Sequence, residues 1–305
     1  MSEAYLALVN RAAGGGRCGQ LVDAALEELR GGGVDVEAVE TTAPGEATQI
    51  THRAYADGRR RFIAVGGDGT SHEVVNGLLP EALEAGDAPG GRPLLAFLPL
   101  GTGNSFLRDF SADPRAHGTQ ALREGRRQPC DILRLRHDEG DIYSLNLISM
   151  GLTARAASIT NRRLKPFGST GYLIALLGCL ARMRYYALPF RLDDDPVVED
   201  RPTLVLSFNN SKYTGGAMMI APDANFQDGL IEVVRLGAVG RLGALRHLPG
   251  IYDGSHMRHP LAWRHSARSV ELLFDAPTET VVDGEVMQLV CRRVDVLPAA
   301  IDVAV

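Results

Sequence analysis

The sequence predicts an α/β amino-terminal domain built on a parallel sheet, followed by an antiparallel β-sandwich. Three observations predict it. The first 131 residues alternate short apolar runs with helical periodicity. Three of those runs end in loops rich in Gly, Asn or Thr. After about Asp131 the pattern changes to short alternating runs separated by turn residues. Strands alternating with helices imply a parallel sheet covered on both faces, whose ligands bind at the carboxyl ends of the strands.

Taken in order, Tyr5–Val9 reads as a strand leading into the turn Asn10–Gly19. Leu21, Val22, Ala25, Leu26 and Leu29 mark a helix ended by Gly31-Gly32-Gly33. Val34–Val39 is the next strand and Gly45–Asp57 the next helix. Phe62–Val65 and Leu94–Leu98 are buried strands, each followed by a glycine loop. In the second half, Ile132–Arg136, Tyr143–Ile148, Thr203–Asn209, Leu230–Leu236, Ser269–Phe274, Thr280–Val282 and Met287–Val290 read as strands. One helical insert, Tyr172–Arg184, interrupts them, and Val294–Val305 is again strand-like.

Composition bounds the function classes. The chain has 305 residues, 45% of them hydrophobic and 23% charged, as expected of a globular protein. A net charge of −5 argues against a general nucleic-acid binder, so no nucleic-acid partner is expected. Cys18, Cys130, Cys179 and Cys291 are too scattered for a zinc site or a disulfide framework, which suits a reducing cytoplasm. No signal peptide is read at the start. The longest uncharged run, between Lys165 and Arg182, falls short of the ~20 apolar residues that span a bilayer, so membrane contact is expected to be peripheral.

The loop Gly66-Gly67-Asp68-Gly69-Thr70 carries the most chemistry. Its glycines let the backbone turn sharply and approach a ligand, and amides at the turn and at the following helix start can face anionic oxygens. A carboxylate inside a phosphate cradle is repelled unless a cation lies between, so Asp68 points to a phosphorylated ligand with a divalent metal. In Asp283-Gly284-Glu285 the acids are two apart. On a strand they would share one face; the alternative is a turn between Val281-Val282 and Val286-Met287, since Asp-Gly is a common turn dipeptide. His256, His259 and His265 cluster without the helical spacing of a metal site. Ser105 lacks the G-x-S-x-G surroundings of a hydrolase nucleophile.

Gly66–Thr70 followed by Glu73-Val74-Val75-Asn76-Gly77 resembles the nucleotide motif of the diacylglycerol kinase catalytic domain family, which includes bacterial lipid kinases and the sphingosine and ceramide kinases. Pro99-Leu100-Gly101-Thr102-Gly103-Asn104 resembles its second glycine loop, and Asn10 with Gly14–Gly16 and Arg17 its first phosphate loop. Thr42 with Gly45-Glu46-Ala47, then Asp131, Leu145-Asn146, Gly151, Ala221-Pro222, Asp228–Val233 and Asp283-Gly284-Glu285 follow in the family's order.

The resemblance implies a 6-phosphofructokinase/NAD-kinase-like nucleotide domain over 1–131, a lipid-binding β-sandwich over 132–291, and a tail, 292–305, that returns to the first domain. It implies ATP as phosphoryl donor, contacted by Asn10, Arg17, Thr42, Gly66, Gly67, Gly69, Thr70, Glu73, Gly101, Thr102 and Asn104. Asp68 and Glu285 would hold Mg²⁺, Asp283 would be the general base on the lipid hydroxyl, and a structural cation would sit near Asp228, with Asn225. The expected reaction is phosphorylation of a lipid hydroxyl, diacylglycerol first, at the inner membrane face, with a homodimer as a candidate assembly. Ser105 and Thr153 stand where many members carry aspartate, and Arg11 where many carry proline. The alternatives are a kinase resembling NAD kinase or 6-phosphofructokinase, and a non-catalytic lipid- or nucleotide-binding protein.

From Ile142 to Leu192 there is no Asp or Glu, whereas Arg155, Arg162, Arg163, Lys165, Arg182, Arg184 and Arg191 accompany the apolar run Leu173–Leu180 and Tyr185-Tyr186. That mixture suits an anionic membrane surface. The plainer expectation for the helix is a core element with a solvated basic face.

Overall fold

The computed structural model describes residues 4–84, 91–161 and 168–305. The chain forms two compact units, one of Met1–Asp131 with Ala299–Val305 and one of Ile132–Pro298.

The first unit runs β1 (Tyr5–Val9), α1 (Arg17–Gly31), β2 (Val36–Glu40), α2 (Glu46–Ala56), β3 (Arg61–Gly66), α3 (Asp68–Leu78), α4 (Glu81–Glu84), β4 (Leu94–Pro99) and α5 (Pro114–Glu124). The strands pair in the order β2-β1-β3-β4, all parallel. β1 and β4 are buried along their whole length, which is why they read as continuous apolar runs rather than alternating ones. On α1 the buried residues Cys18, Val22, Ala25, Leu26 and Leu29 form one stripe against the sheet. Asp113 caps α5 by accepting from the Ala116 amide at 3.2 Å, ahead of Pro114 in the first turn.

The chain's last strand completes this sheet, Asp302 and Val303 pairing in parallel with Leu94 and Leu95. Arg92 and Arg127 both pair with the Asp302 carboxylate, and the Ala299 amide donates to Asp131 at 2.7 Å. The segment belonging to the first unit begins at Ala299, seven residues beyond the 292 read from sequence.

β5 (Gln128–His137) crosses the boundary into the second unit. There follow β6 (Gly140–Ser144), β7 (Leu147–Gly151), α6 (Leu152–Ile159), α7 (Gly168–Ala181), β8 (Phe190–Leu192), β9 (Val198–Glu199), β10 (Thr203–Asn209), β11 (Tyr213–Thr214), β12 (Met218–Met219), β13 (Ile231–Gly237), α8 (Arg241–His247), β14 (Ala262–Ala267), β15 (Ser269–Leu272), β16 (Thr278–Val282), β17 (Glu285–Leu289) and β18 (Cys291–Val303). A six-stranded antiparallel sheet has the order β14-β13-β10-β7-β16-β17. The facing layer pairs β15 with β18 and β8, and β5 with β6. Leu206, Phe208, Ile231 and Val233 from one layer meet Leu133, Phe190, Val270 and Val294 from the other in a single core.

The six-stranded sheet is also covered on its outer face. Leu204 and Val205 of β10 and Leu236 of β13 pack there with α6, α7 and α8. Of these helices, the sequence reading found only α7, and it missed β14. α6 and α8 are only 8 and 7 residues long, too short for a clear helical period. β14, with Trp263, Arg264 and His265, carries too little alternation to read as a strand. Among the described residues no helix is long and apolar enough to cross a membrane.

One expected strand is corrected. Tyr143–Ile148 is not continuous but splits into β6 and β7, because the amides of Leu145, Asn146 and Leu147 turn away from the ladder to a distant carboxylate, that of Asp283.

Candidate active site

β1, β3 and β4 are parallel neighbours, so their carboxyl ends lie along one edge of the sheet. There the Asn10 amide donates to Val65 O at 3.0 Å and the Gly101 amide to Gly66 O at 2.6 Å. A Cβ on Gly101 would sit 2.6 Å from Gly67 Cα, and one on Gly14, where φ is +65°, would sit 3.4 Å from Leu100 O. The loops touch backbone to backbone, which only glycine allows at Gly101. α1 begins at Arg17, which is exposed, and α3 at Asp68. Two helix amino termini therefore project from this loop cluster, an arrangement suited to anionic oxygens.

Asp68 is held between two loops. Its Oδ1 accepts the Ser105 amide at 2.7 Å and its Oδ2 the Ser105 hydroxyl at 2.9 Å. Asn104 takes a left-handed φ of 51° and donates from Nδ2 to Gly101 O at 3.2 Å, while Thr102 is exposed. Thr70 follows Gly69 in the first turn of α3; it is 4% exposed and its Oγ1 has no hydrogen-bond partner among the described residues.

Thr42 and Glu73 meet around the start of α2. The Thr42 amide and hydroxyl donate to Glu46 Oε2 at 2.6 and 3.0 Å, which holds the Glu46 carboxyl below the usual range. Glu73 Oε2 accepts the Ala47 amide at 3.0 Å, and the Thr48 hydroxyl donates to Glu73 O. In this way Glu73 caps a neighbouring helix. The Asn10 side chain closes its own turn by accepting the Ala12 amide at 3.1 Å. Arg11 is tied to Asp23 and Glu40, and these bonds raise its proton affinity further.

In the second unit, Asp283 and Gly284 are the two central residues of the β16–β17 hairpin, with φ of 50° and 97°, between paired Val282 and Glu285. Positive φ at both positions is the hairpin-turn geometry that favours Asp-Gly. The two acids therefore do not share a strand face: Asp283 lies in the turn and is 5% exposed, whereas Glu285 opens the next strand and is exposed. Asp283 Oδ1 accepts from Ser144 Oγ at 2.6 Å and from the amides of Asn146 and Leu147 at 2.9 and 3.0 Å, and Oδ2 accepts the Leu145 amide at 2.9 Å. Ser144 is a partner of Asp283 that sequence reasoning missed, since nothing local marks a contact 139 positions away.

Asp228 Oδ1 accepts the Leu230 amide at 3.0 Å, and Asn225 Oδ1 the Gln227 amide at 3.2 Å. Among the described residues no group of three or more His, Cys, Asp or Glu could hold a metal ion. A magnesium ion that arrives on nucleotide phosphates takes one or two carboxylates from a protein rather than a dedicated cage. Asp68, beside two glycine loops, suits such an ion.

An apolar pocket, partly open to solvent, lies between the outer face of the six-stranded sheet and the helices that cover it. Leu176, Leu180, Leu204, Val205, Val234 and Leu236 supply apolar wall. Thr153, Tyr172 and three histidines, His247, His256 and His259, also line it. Thr153 Oγ1 is 2.5 Å from Ser149 Oγ, and burial pushes the Tyr172 phenol up. His256 spans two carbonyls, Gly250 O at 3.1 Å and Ile220 O at 3.2 Å.

The helix expected to carry a basic face does not. α7 has no charged residue; Arg182 and Arg184 follow it, Arg191 pairs with Glu271 at 3.4 Å, and Arg162, Arg163 and Lys165 lie outside the described residues.

Comparison with known proteins gives the family and the fold. Residues 4–135 match the diacylglycerol kinase catalytic domain, and residues 146–305 the YegS C-terminal NAD kinase beta sandwich-like domain. A protein named "Diacylglycerol kinase" from Mycobacterium tuberculosis is 29% identical, over 97% of this chain and 93% of its own. A "Probable lipid kinase YegS-like" from Serratia proteamaculans is 30% identical, over 95% of this chain and 90% of its own. The crystal structure of a diacylglycerol kinase from Bacillus anthracis has the same fold, with a TM-score of 0.69 at 18% identity over 99% of this chain and 96% of its own. This chain belongs to the diacylglycerol kinase family of lipid kinases.

Proposed function

We propose that the protein transfers the γ-phosphoryl group of ATP to a lipid hydroxyl, with diacylglycerol as acceptor and phosphatidic acid as product. The observation that carries this reading is the apolar pocket in the second unit, walled by leucine and valine side chains. An acceptor such as NAD would need polar partners along its length, whereas acyl chains need apolar wall of this kind.

In this reading the amides of the Gly14–Gly16, Gly66–Thr70 and Gly101–Asn104 loops, with Asn10, Arg17 and Thr42, bind the nucleotide phosphates. Asp68 and Glu285 are the carboxylates that would hold Mg²⁺. When bound, that ion neutralises charge on the transferring phosphate. Asp283 orients the acceptor hydroxyl and takes its proton as the new O–P bond forms and the bond from the γ-phosphorus to the ADP oxygen breaks. Phosphoryl transfer asks the protein chiefly for positioning and charge neutralisation. A carboxylate fixed by Ser144 and three amides is suited to positioning.

The test is incubation of the pure protein with labelled ATP, Mg²⁺, NAD and a total lipid extract, followed by mass identification of the labelled product. Labelled phosphatidic acid is the expected outcome. Label in NAD and in no lipid, or no lipid-dependent ATP turnover, would overturn the proposal.

A further inference from the structure

α7 is 14 residues long and apolar all round. Such a helix is expected to be buried on every side, yet α7 is buried on one only. Ala175, Leu176, Cys179 and Leu180 pack inward, while Ile174 and Leu177 are 51% and 40% exposed. α8, which packs against α7, repeats the pattern. Its Ala244 and His247 line the cavity, but Leu242 and Leu245 are 84% and 51% exposed. Tyr252, just past the turn Leu248–Ile251, is 50% exposed. The elements that wall the cavity thus also turn large apolar side chains outward, a grouping that marks an interaction surface.

The charges around them are one-sided. No acid occurs between Ile142 and Leu192, and Asp253 is the only one between Gly237 and Ser266. Arg182, Arg184, Arg241, Arg246 and Arg258 are exposed, and none forms an ion pair among the described residues. Elsewhere in the same unit arginines are paired: Arg292 with Asp138, Arg293 with Asp295, Arg201 with Glu199. Unpaired cations beside exposed leucines, on a chain of net charge −5, fit an anionic surface with an apolar interior.

We propose that α7, α8 and Tyr252 form the face by which the protein docks on an anionic bilayer, with Leu242 and Leu245 entering the acyl region and the five arginines meeting the headgroups. A second copy is the poorer occupant, because a two-fold interface sets the same patch against itself and would bring arginines together. The assignment rests on the lipid-acceptor reading for its purpose, though not for its geometry.

Flotation with vesicles of phosphatidylcholine alone, or mixed with phosphatidylglycerol, tests it. The wild type should float with the mixed vesicles and far less with the neutral ones, and added salt should weaken the binding. L242S/L245S and R241S/R246S should each lose roughly tenfold or more in vesicle affinity. Both should keep the wild-type Tm and the wild-type rate on a water-soluble short-chain diacylglycerol. Equal binding to both vesicles, no binding, or wild-type binding by L242S/L245S would overturn the docking face. So would light scattering that finds a wild-type dimer split by L242S/L245S without vesicle binding, which assigns the face to a second copy. A protein that floats as expected yet phosphorylates no lipid supports the face and sinks the proposed function instead.

Discussion

Ser105 holds the Asp68 carboxylate with both of its donors, the amide 2.7 Å from Oδ1 and the hydroxyl 2.9 Å from Oδ2. An aspartate at 105 would replace the hydroxyl donor with a second negative charge. Ser105→Asp should therefore lower the Tm in chelator and regain more of it than the wild type on adding Mg²⁺, because two close carboxylates need a cation or a proton between them. Ser105→Ala should cost about 1.5–3 kcal/mol, as for a hydrogen bond to a charged group, with no added magnesium response. Equal magnesium responses in Ser105→Asp and wild type would refute this account of the pair.

Gly101→Ala should damage the nucleotide half selectively. Its Cβ would lie 2.6 Å from Gly67 Cα, and neither backbone can yield without moving a loop. Overpacking of this kind costs about 1–3 kcal/mol. Calorimetric titration should show ATP affinity reduced about tenfold or more, with vesicle binding intact.

Asp283→Asn should lose stability as well as transfer. An amide in place of the carboxylate gives up charge-assisted bonds and sets an NH₂ against one of four donors. Ser144→Ala removes one donor and should cost about 1.5–3 kcal/mol by denaturant unfolding while leaving a carboxylate in place. If Asp283→Asn unfolds at the wild-type urea concentration, the clamp is not structural.

Two buried carboxylates should give opposite pH signatures. Burial raises the Glu232 carboxyl, with only Ser266 opposing strongly. A raised acid contributes stability below its unfolded pKa and loses it as pH rises, so Glu232→Gln should raise the Tm at neutral pH, with the gain shrinking toward pH about 4. Burial also acts to raise Asp295, but Arg293, Arg136 and Arg134 outweigh it and hold it low. Its contribution is present above the ordinary aspartate pKa and lost as pH falls through its depressed value. Asp295→Asn should therefore destabilise at neutral pH and converge with wild type only below pH about 4. Thermal unfolding across pH reads both.

Ala244→Phe should fill part of the cavity that Ala244 lines. KM for a long-chain diacylglycerol should rise about tenfold or more, with KM for ATP unchanged. A parallel rise in both would detach the cavity from the acceptor.

Local signals made much of the first unit legible. Tyr5–Val9 is a strand over the same residues that its apolar run marks, and Leu94–Pro99 extends its run by one. Both are central parallel strands whose burial on two faces demands unbroken apolar sequence. Gly101 is glycine because a chain that passes backbone against backbone can carry no side chain there, and Gly66 because Thr70 fills the space a side chain would need. The second unit was less legible: α6 and α8 are short, and at the break between β6 and β7 Ser144 and Asn146 are a weak turn signal inside an apolar run.

The sequence by itself determined the order of strands and glycine loops, the family, and the residue types available for phosphate and metal, since each is written in neighbouring positions. Only the tertiary structure decided what those side chains touch. It gave Asp283 to Ser144 and the following amides, Glu73 to the start of α2, and Asp68 to Ser105, partners 139, 26 and 37 positions away. It also decided that α7 would be half core and half surface, a division set by what packs against the helix and not by a helix sequence that is apolar throughout.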